Sequence, residues 1–363
     1  MYILVYGFLF LCFIFEELTK NAKSYQRFII SICAITPVFF LAALRWKTGN
    51  DWNAYFNFYI NAQDLSYHSI SYELGFRTLV QFCKLLGFDY TGFLIIVTLL
   101  QLSGFYFLFQ KTKSPSLCIL FFFSTYFLGY IATIRQTIAI SLCLIGLVRH
   151  LDKKNRSAVF WFLLAFFFHY SSLIFFTVYF VPKKMKTLAF YSIYLIVVVF
   201  FSTYVIPPLL DYIFLGFSKV PLISKLYDYY TVKSDLGDQA SLLYIWYLKR
   251  IIMVSIFYTL VRFFIPERAY YFNLYLLGVT LFFVFINVIP MLGLRAAEYF
   301  NVFEMILLAL AISSIRANIL IKIFIVFIIS APRLYSTIYN YHPELYVPYY
   351  SIFEKNQATR QMY

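Results

Sequence analysis

The sequence predicts an all-α, polytopic membrane protein, and three observations carry that prediction. Of the 363 residues, 62% are hydrophobic and only 13% are charged, with a mean hydropathy of +0.77. A soluble domain is about half apolar. The apolar residues come in long blocks, and a helix needs roughly 17–25 of them to cross a bilayer. The basic residues fall in short loops between those blocks, as Lys and Arg do in cytoplasmic loops. A β-barrel would show short alternating segments, which the sequence lacks. The same placement of charge argues against nucleic acid as the reason for the net charge of +14.

The blocks place crossings at about 2–16, 28–45, 92–110, 115–131, 133–149, 187–206, 242–264, 270–289, 296–315 and 319–334, about ten transmembrane helices. The first block, MYILVYGFLFLCFIFEEL, has no basic residue before it and no small-residue cleavage site after it. It reads as a first spanning helix rather than a cleavable signal. The segment 71–87, SYELGFRTLVQFCKLLG, is amphipathic and suits the membrane interface.

Residues 157–181 differ from the other blocks. Lys153, Lys154 and Arg156 precede them, and Lys183, Lys184 and Lys186 follow. If both basic clusters are cytoplasmic, the chain must enter and return within this segment. Each arm then has about 12 residues, about 18 Å of helix, too little to cross. The expectation is a short re-entrant helical hairpin with His169 near its tip. The largest external loop is about 207–241 and would serve as a lid, and the whole chain, 1–363, reads as one integral membrane domain. With both termini outside, the cytoplasmic loops collect sixteen Lys and Arg against four acids, a net +12, which leaves +2 for the rest. The orientation follows from that asymmetry.

The five cysteines, Cys12, Cys33, Cys83, Cys118 and Cys143, stand singly in apolar or amphipathic runs without CxxC spacing. They read as small apolar core residues rather than as a disulfide framework or metal site.

No GxxxxGK[ST], HExxH or GxSxG motif occurs. What remains is charge at helix ends. Arg45 ends the second block, and Lys47, Asp51, Trp52 and Tyr55 follow in RWKTGNDWNAY. Arg135 and Gln136 stand at a helix start, Lys249 and Arg250 lie in LLYIWYLKRIIMVSIF, and Arg295 opens RAAEYFNVFEMILL. Arg295, Glu298 and Tyr299 share the i, i+3, i+4 face of a helix. On the assigned topology all of these lie on the external side.

Ionisable residues at membrane depth are expensive and face polar cavities or one another. Each also has a plainer reading. Arg45, Lys47, Lys249 and Arg250 suit snorkelling anchors, the aromatics suit an interfacial belt, and a lone histidine on an apolar hairpin suits a structural role. Several arginines sunk in the outer half of a membrane fit one ligand class well. Guanidinium forks match phosphate oxygens bidentately and keep their charge. A lipid-linked diphosphate places two phosphates at headgroup depth, and Tyr and Trp offer faces to sugars. The residues therefore point to an enzyme acting on a polyprenyl-diphosphate sugar.

Six fragments, taken in order, resemble one family. They are RWKTGNDWNAY at 45–55, YELGF at 72–76, TIRQTIAISL at 133–142, FFHYSSLIF at 167–175, GLRAAEYF at 293–300 and VPYYSIF at 347–353. Together they are similar to the EpsG/Wzy-type polymerases of bacterial surface polysaccharides. The resemblance implies a multi-pass enzyme of the GT-C-like kind in the bacterial inner membrane, with its polar residues facing the periplasm or outside. It implies a reaction too: a glycan on undecaprenyl diphosphate is transferred to the non-reducing end of a new lipid-linked repeat unit. The product would be O-antigen, capsule or a related exopolysaccharide.

The partners expected are the undecaprenyl-diphosphate-linked donor and acceptor and the membrane lipid, with a chain-length-regulating co-polymerase left open. Neither cofactor nor metal is expected, because no paired carboxylates suited to a divalent ion stand in an external loop. On this reading Arg135 and Arg295, helped by Arg45 and Lys47 at the rim, stabilise the leaving diphosphate. His169 is the first choice for the base, since histidine titrates near neutral pH, and Asp51 the second. Gln136, Lys249, Arg250, Glu298 and Tyr299 complete the substrate-binding set, with Trp52 and Tyr55 meeting sugar. Two alternatives stay open. One is an O-antigen ligase or another polyprenyl-dependent glycosyltransferase. The other is a flippase of lipid-linked sugars, which would carry inverted repeats and paired broken helices that the sequence does not show.

Overall fold

The computed structural model describes residues 1–19, 24–67, 71–217, 227, 240–340, 343–356, 358 and 360. Most of the helices follow the apolar blocks, as they must where backbone polar groups have no water to bond. In order they are α1 (Tyr2–Leu18), α2 (Ser24–Ala43), α3 (Trp52–Asn61), α4 (Leu74–Leu85), α5 (Tyr90–Phe109), α6 (Pro115–Thr125), α7 (Phe127–Ala132), α8 (Ile134–Leu151) and α9 (Asn155–Phe168). A 3₁₀ helix (Tyr170–Phe180), α10 (Leu188–Phe200), a π-helical turn (Phe201–Val205) and α11 (Ile206–Phe217) follow. Then come α12 (Ala240–Phe264), α13 (Ala269–Ile286), α14 (Pro290–Ser314) and α15 (Ile319–Tyr339). Among the described residues the only strands are β1 (Arg45–Trp46) and β2 (Tyr350–Ser351).

The protein is an all-α, multi-pass membrane protein. Seven helical segments are long and apolar enough to cross a bilayer: Tyr25–Ala43, Tyr90–Phe109, Ile134–Leu151, Leu188–Phe214, Pro266–Ile286, Pro290–Ser314 and Ile319–Tyr339. The sequence reading put three further crossings at 2–16, 115–131 and 242–264. The first is the 17-residue α1. The second is two short helices, because the chain breaks at Tyr126 between α6 and α7. The third falls within the 25-residue α12. Of the expected lid, residues 207–217 belong to α11, and most of the remainder lies outside the described residues.

The chain divides into two compact units, Met1–Phe176 with Ile312–Tyr363, and Thr177–Ala311. In the first, α5 and α8 pack through Gly104. A Cβ there would stand 1.9 Å from the Ser141 carbonyl oxygen, which is backbone and cannot step aside. The Ser141 hydroxyl accepts a hydrogen bond from the Gly104 amide at 2.8 Å and donates to the Leu100 carbonyl at 2.5 Å. Gly104→Ala is therefore expected to force α5 and α8 apart, and overpacking of this kind costs about 1–3 kcal/mol or more. A lowered melting temperature of the detergent-purified protein checks it, and an unchanged one would refute it.

At one end of this unit α1, α6 and α15 are tied by charge. Glu16 accepts the Ser116 amide at 3.1 Å, and Lys322 meets Glu17 at 2.6 Å with both side chains buried. Lys111 and Asp152 pair at 2.7 Å. The expected hairpin is present as α9, an extended residue at His169 and the 3₁₀ helix, with the Phe162 ring against Phe175 and Phe176 at 5.5 and 5.3 Å. The expected amphipathic segment is α4, which turns Phe76, Val80 and Cys83 inward, one face of a 3.6-residue repeat.

Candidate functional site

Five of the six quoted fragments lie in the first unit, and folding ties them together. RWKTGND leaves the C-terminal end of α2 as β1, which pairs antiparallel with β2, Arg45 opposite Ser351 and Trp46 opposite Tyr350. Arg45 lies deeper than a rim residue, at 1% exposure. Its Nη1 donates to the Ala42 carbonyl at 2.6 Å and its Nη2 to the Ile131 carbonyl at 2.9 Å. These carbonyls belong to the C-terminal turns of α2 and α7, where the helix dipole favours a cation. Arg45 thus fastens two helix ends.

The next residues are shaped by backbone. Lys47 has φ +43 and Gly49 φ +99, both in the left-handed region. A Cβ on Gly49 would come 3.0 Å from the Ala132 Cβ and 3.2 Å from its Cα, so only glycine lets the loop lie against the end of α7. Arg360 holds this loop. Its guanidinium donates to the Lys47 carbonyl, the Thr48 hydroxyl (3.2 Å), the Leu345 carbonyl (2.9 Å) and the Pro348 carbonyl. Lys47 Nζ reaches the Ala358 carbonyl at 3.4 Å. Sequence reading missed Arg360, because nothing near it in the chain marks it.

The half-buried Asp51 starts α3 and lies within electrostatic reach of Tyr55, Tyr72 and Tyr346. Burial pushes the Tyr346 hydroxyl up to about 12, with the Asp51 charge adding to the rise, so it stays a neutral donor at ordinary pH. The Trp52 ring stacks on Phe56 (4.9 Å, 13°) and meets Trp46 and Tyr90 edge-on. Tyr55, 4% exposed, packs on Phe76 at 5.4 Å. Both side chains are thus packed among other aromatics.

Arg135 stands in the first turn of α8. Its guanidinium binds the Glu73 carboxylate, donates to the Ser71 carbonyl at 3.2 Å, lies 4.7 Å over the Tyr72 ring and hydrogen-bonds the Tyr55 side chain. Gln136 beside it is buried. Glu73 and Leu74 open α4, so the pair sits at two helix N-termini. That end of a helix carries partial positive charge and attracts anions. An arginine there adds to the positive field rather than relieving it.

The hairpin reaches the same place. A Cβ on Gly75 would stand 2.7 Å from the Phe167 carbonyl oxygen, so the start of α4 lies on the end of α9, two residues from His169. His169 is half-buried, with its Nδ1 2.6 Å from the Ser171 hydroxyl. Asp51, Arg135 and His169 therefore belong to one neighbourhood built from α3, α4, α8 and α9, and Glu73 joins them.

Arg295, Glu298, Tyr299, Lys249 and Arg250 lie in the second unit. There α14 begins at Pro290, a residue suited to the first helical turn. Arg295 is thus inside the helix rather than opening it, a correction to the boundary expected at 296. Glu298 lies within electrostatic reach of Arg295, and Tyr299 is fully buried. The Arg250 guanidinium lies 4.0 Å over the Phe282 ring, and Lys249 is exposed. A Cβ on Gly293 would come 2.9 Å from the Ile286 amide and 3.3 Å from the Phe282 carbonyl. Arg250 and Arg295 therefore sit near the same end of α13. Among the described residues no group of three or more His, Cys, Asp or Glu is placed to hold a metal ion.

No curated protein and no solved structure matches the chain. The model of the EpsG family matches residues 28–351, a span that holds almost all of the six fragments. Over that length of match the conclusion is direct: the chain belongs to the EpsG family.

Proposed function

We propose that the protein polymerises lipid-linked oligosaccharide repeat units, moving the glycan from undecaprenyl diphosphate onto the non-reducing end of a new lipid-linked unit. Family membership supports a polysaccharide polymerase-type role in general. One observation carries the finer reading: Arg135 adds its charge to the positive N-terminal ends of α4 and α8. A diphosphate is an anion that such a place would hold.

The acceptor hydroxyl attacks the anomeric carbon of the donor, the carbon–oxygen bond to phosphate breaks, and the diphosphate departs with the electron pair. Arg135 stabilises the charge that grows on it. His169 takes the hydroxyl proton, with Asp51 as the second choice. Arg45 and Lys47 shape the loop that leads to Asp51. Gln136 belongs to this binding set; in the second unit, taken by itself, Arg295, with Glu298 within its electrostatic reach, is the phosphate-binding cation, and Lys249, Arg250 and Tyr299 are its companions. The site faces outward from the inner membrane, in keeping with the +12 against +2 division of charge.

Deleting the gene and separating the surface polysaccharide on a gel tests this. The expected result is loss of the long-chain ladder with single repeat units still attached to their acceptor. Loss of attached repeats altogether would favour a ligase and overturn the polymerase reading.

A further inference from the structure

We propose that Glu73 is a resident counter-ion that Arg135 exchanges for the anionic part of the substrate. The inference rests on the reading that Arg135 binds phosphate. It goes beyond that reading by assigning a residue and an unloaded state to the site.

Glu73 holds the N-cap position of α4, where Ser, Thr, Asp and Asn are preferred because their short side chains bond the first free amides. The Glu73 side chain makes no such bond. It turns instead to Arg135, and it is 7% exposed. A carboxylate at this point is favoured by the ends of both helices, as a phosphate would be. The carboxylate therefore stands where an anionic ligand would be drawn.

The remaining contacts of Arg135 do not depend on Glu73. The Tyr72 ring lies under the guanidinium, the Ser71 carbonyl accepts from Nη1, and the Tyr55 side chain bonds it. When the carboxylate swings aside, the fork stays aimed and can take two phosphate oxygens at once. When the site is empty, Glu73 compensates the charge of the partly buried Arg135. A partly buried ion pair adds little to stability, so its placement at two helix N-termini is better accounted for by exchange than by folding.

The test uses purified full-length protein, inorganic pyrophosphate as the probe, and a melting temperature for each variant. Glu73→Gln removes the competing charge and keeps an oxygen that accepts from Arg135. It should bind pyrophosphate about tenfold tighter than the wild type, as removal of a like charge from a binding site allows. With a lipid-linked repeat unit it should lower KM and kcat together, because the product diphosphate now leaves slowly. Arg135→Gln should lose pyrophosphate binding. Glu73→Asp, which keeps the charge and shortens its reach, should fall between wild type and Glu73→Gln, and it serves if Glu73→Gln does not fold.

Wild-type affinity in the Glu73 variants, with binding still lost in Arg135→Gln, would make the pair a structural tie. That would refute the exchange and leave the phosphate reading standing. Wild-type affinity and polymerisation in Arg135→Gln would remove the phosphate reading, and the exchange with it.

Discussion

Arg135→Lys lowers the initial rate of polymerisation by about 10²–10³, measured with a lipid-linked repeat unit at matched protein levels in the membrane. Lysine keeps the charge but loses the planar fork. If Arg135 acts as a bidentate phosphate ligand, the loss resembles that of one preorganised oxyanion donor, about 2–4 kcal/mol in the transition state. The surroundings make the same demand on shape. Arg135 lies over the Tyr72 ring at 4.7 Å and serves the Glu73 carboxylate, the Ser71 carbonyl and the Tyr55 side chain together. A single ammonium cannot copy that spread of donors. If Arg135 were only the partner of Glu73, lysine would pair with the carboxylate nearly as well. A near-normal rate in Arg135→Lys would therefore end the phosphate-clamp reading. Arg45→Lys should behave differently. Its fork joins the ends of α2 and α7 through two carbonyls, so the expected loss appears first as a lower melting temperature.

The contrast between these two arginines marks how far the sequence could be read. The helical, multi-pass class was legible because apolar blocks of bilayer length admit few other structures. The fragments were legible as well, and five of them do come together. Their partners were not. Glu73 lies inside the quoted fragment YELGF, yet its pairing with Arg135 joins residues 62 positions apart and depends on how α4 and α8 approach. Arg45 beside Trp46 and Lys47 reads as a hydrated rim, and only the Ile131 carbonyl, 86 positions away, reveals a buried fastener. Boundaries failed for local reasons. The break at Tyr126 is preceded only by Ser124 and Thr125 in an otherwise apolar run, too shallow a dip for hydropathy to mark. Pro290 begins α14 earlier than the charge pattern at Arg295 implied.

His169→Ala should abolish long-chain product while leaving the protein folded in the membrane. The residue stands at the one extended position between α9 and the 3₁₀ helix, and so at the tip of the hairpin. Its backbone amide closes the last turn of α9 on the Ala165 carbonyl, a bond that alanine keeps. Its ring is held by the Ser171 hydroxyl 2.6 Å from Nδ1. The close approach of Gly75 to Phe167 brings the tip to the start of α4, next to the Arg135–Glu73 pair. A base for the acceptor hydroxyl has to stand near the group that holds the departing phosphate, and this placement meets that need. General-base catalysis is worth about 10²–10⁴ in rate, enough to erase a polymer ladder on a gel. Ser171→Ala tests the hold on the ring: it should slow polymerisation less than His169→Ala and leave the melting temperature near wild type. If His169→Ala still makes long chains, the histidine only shapes the hairpin tip. Asp51, within electrostatic reach of Tyr55 and Tyr72, then becomes the side chain to replace.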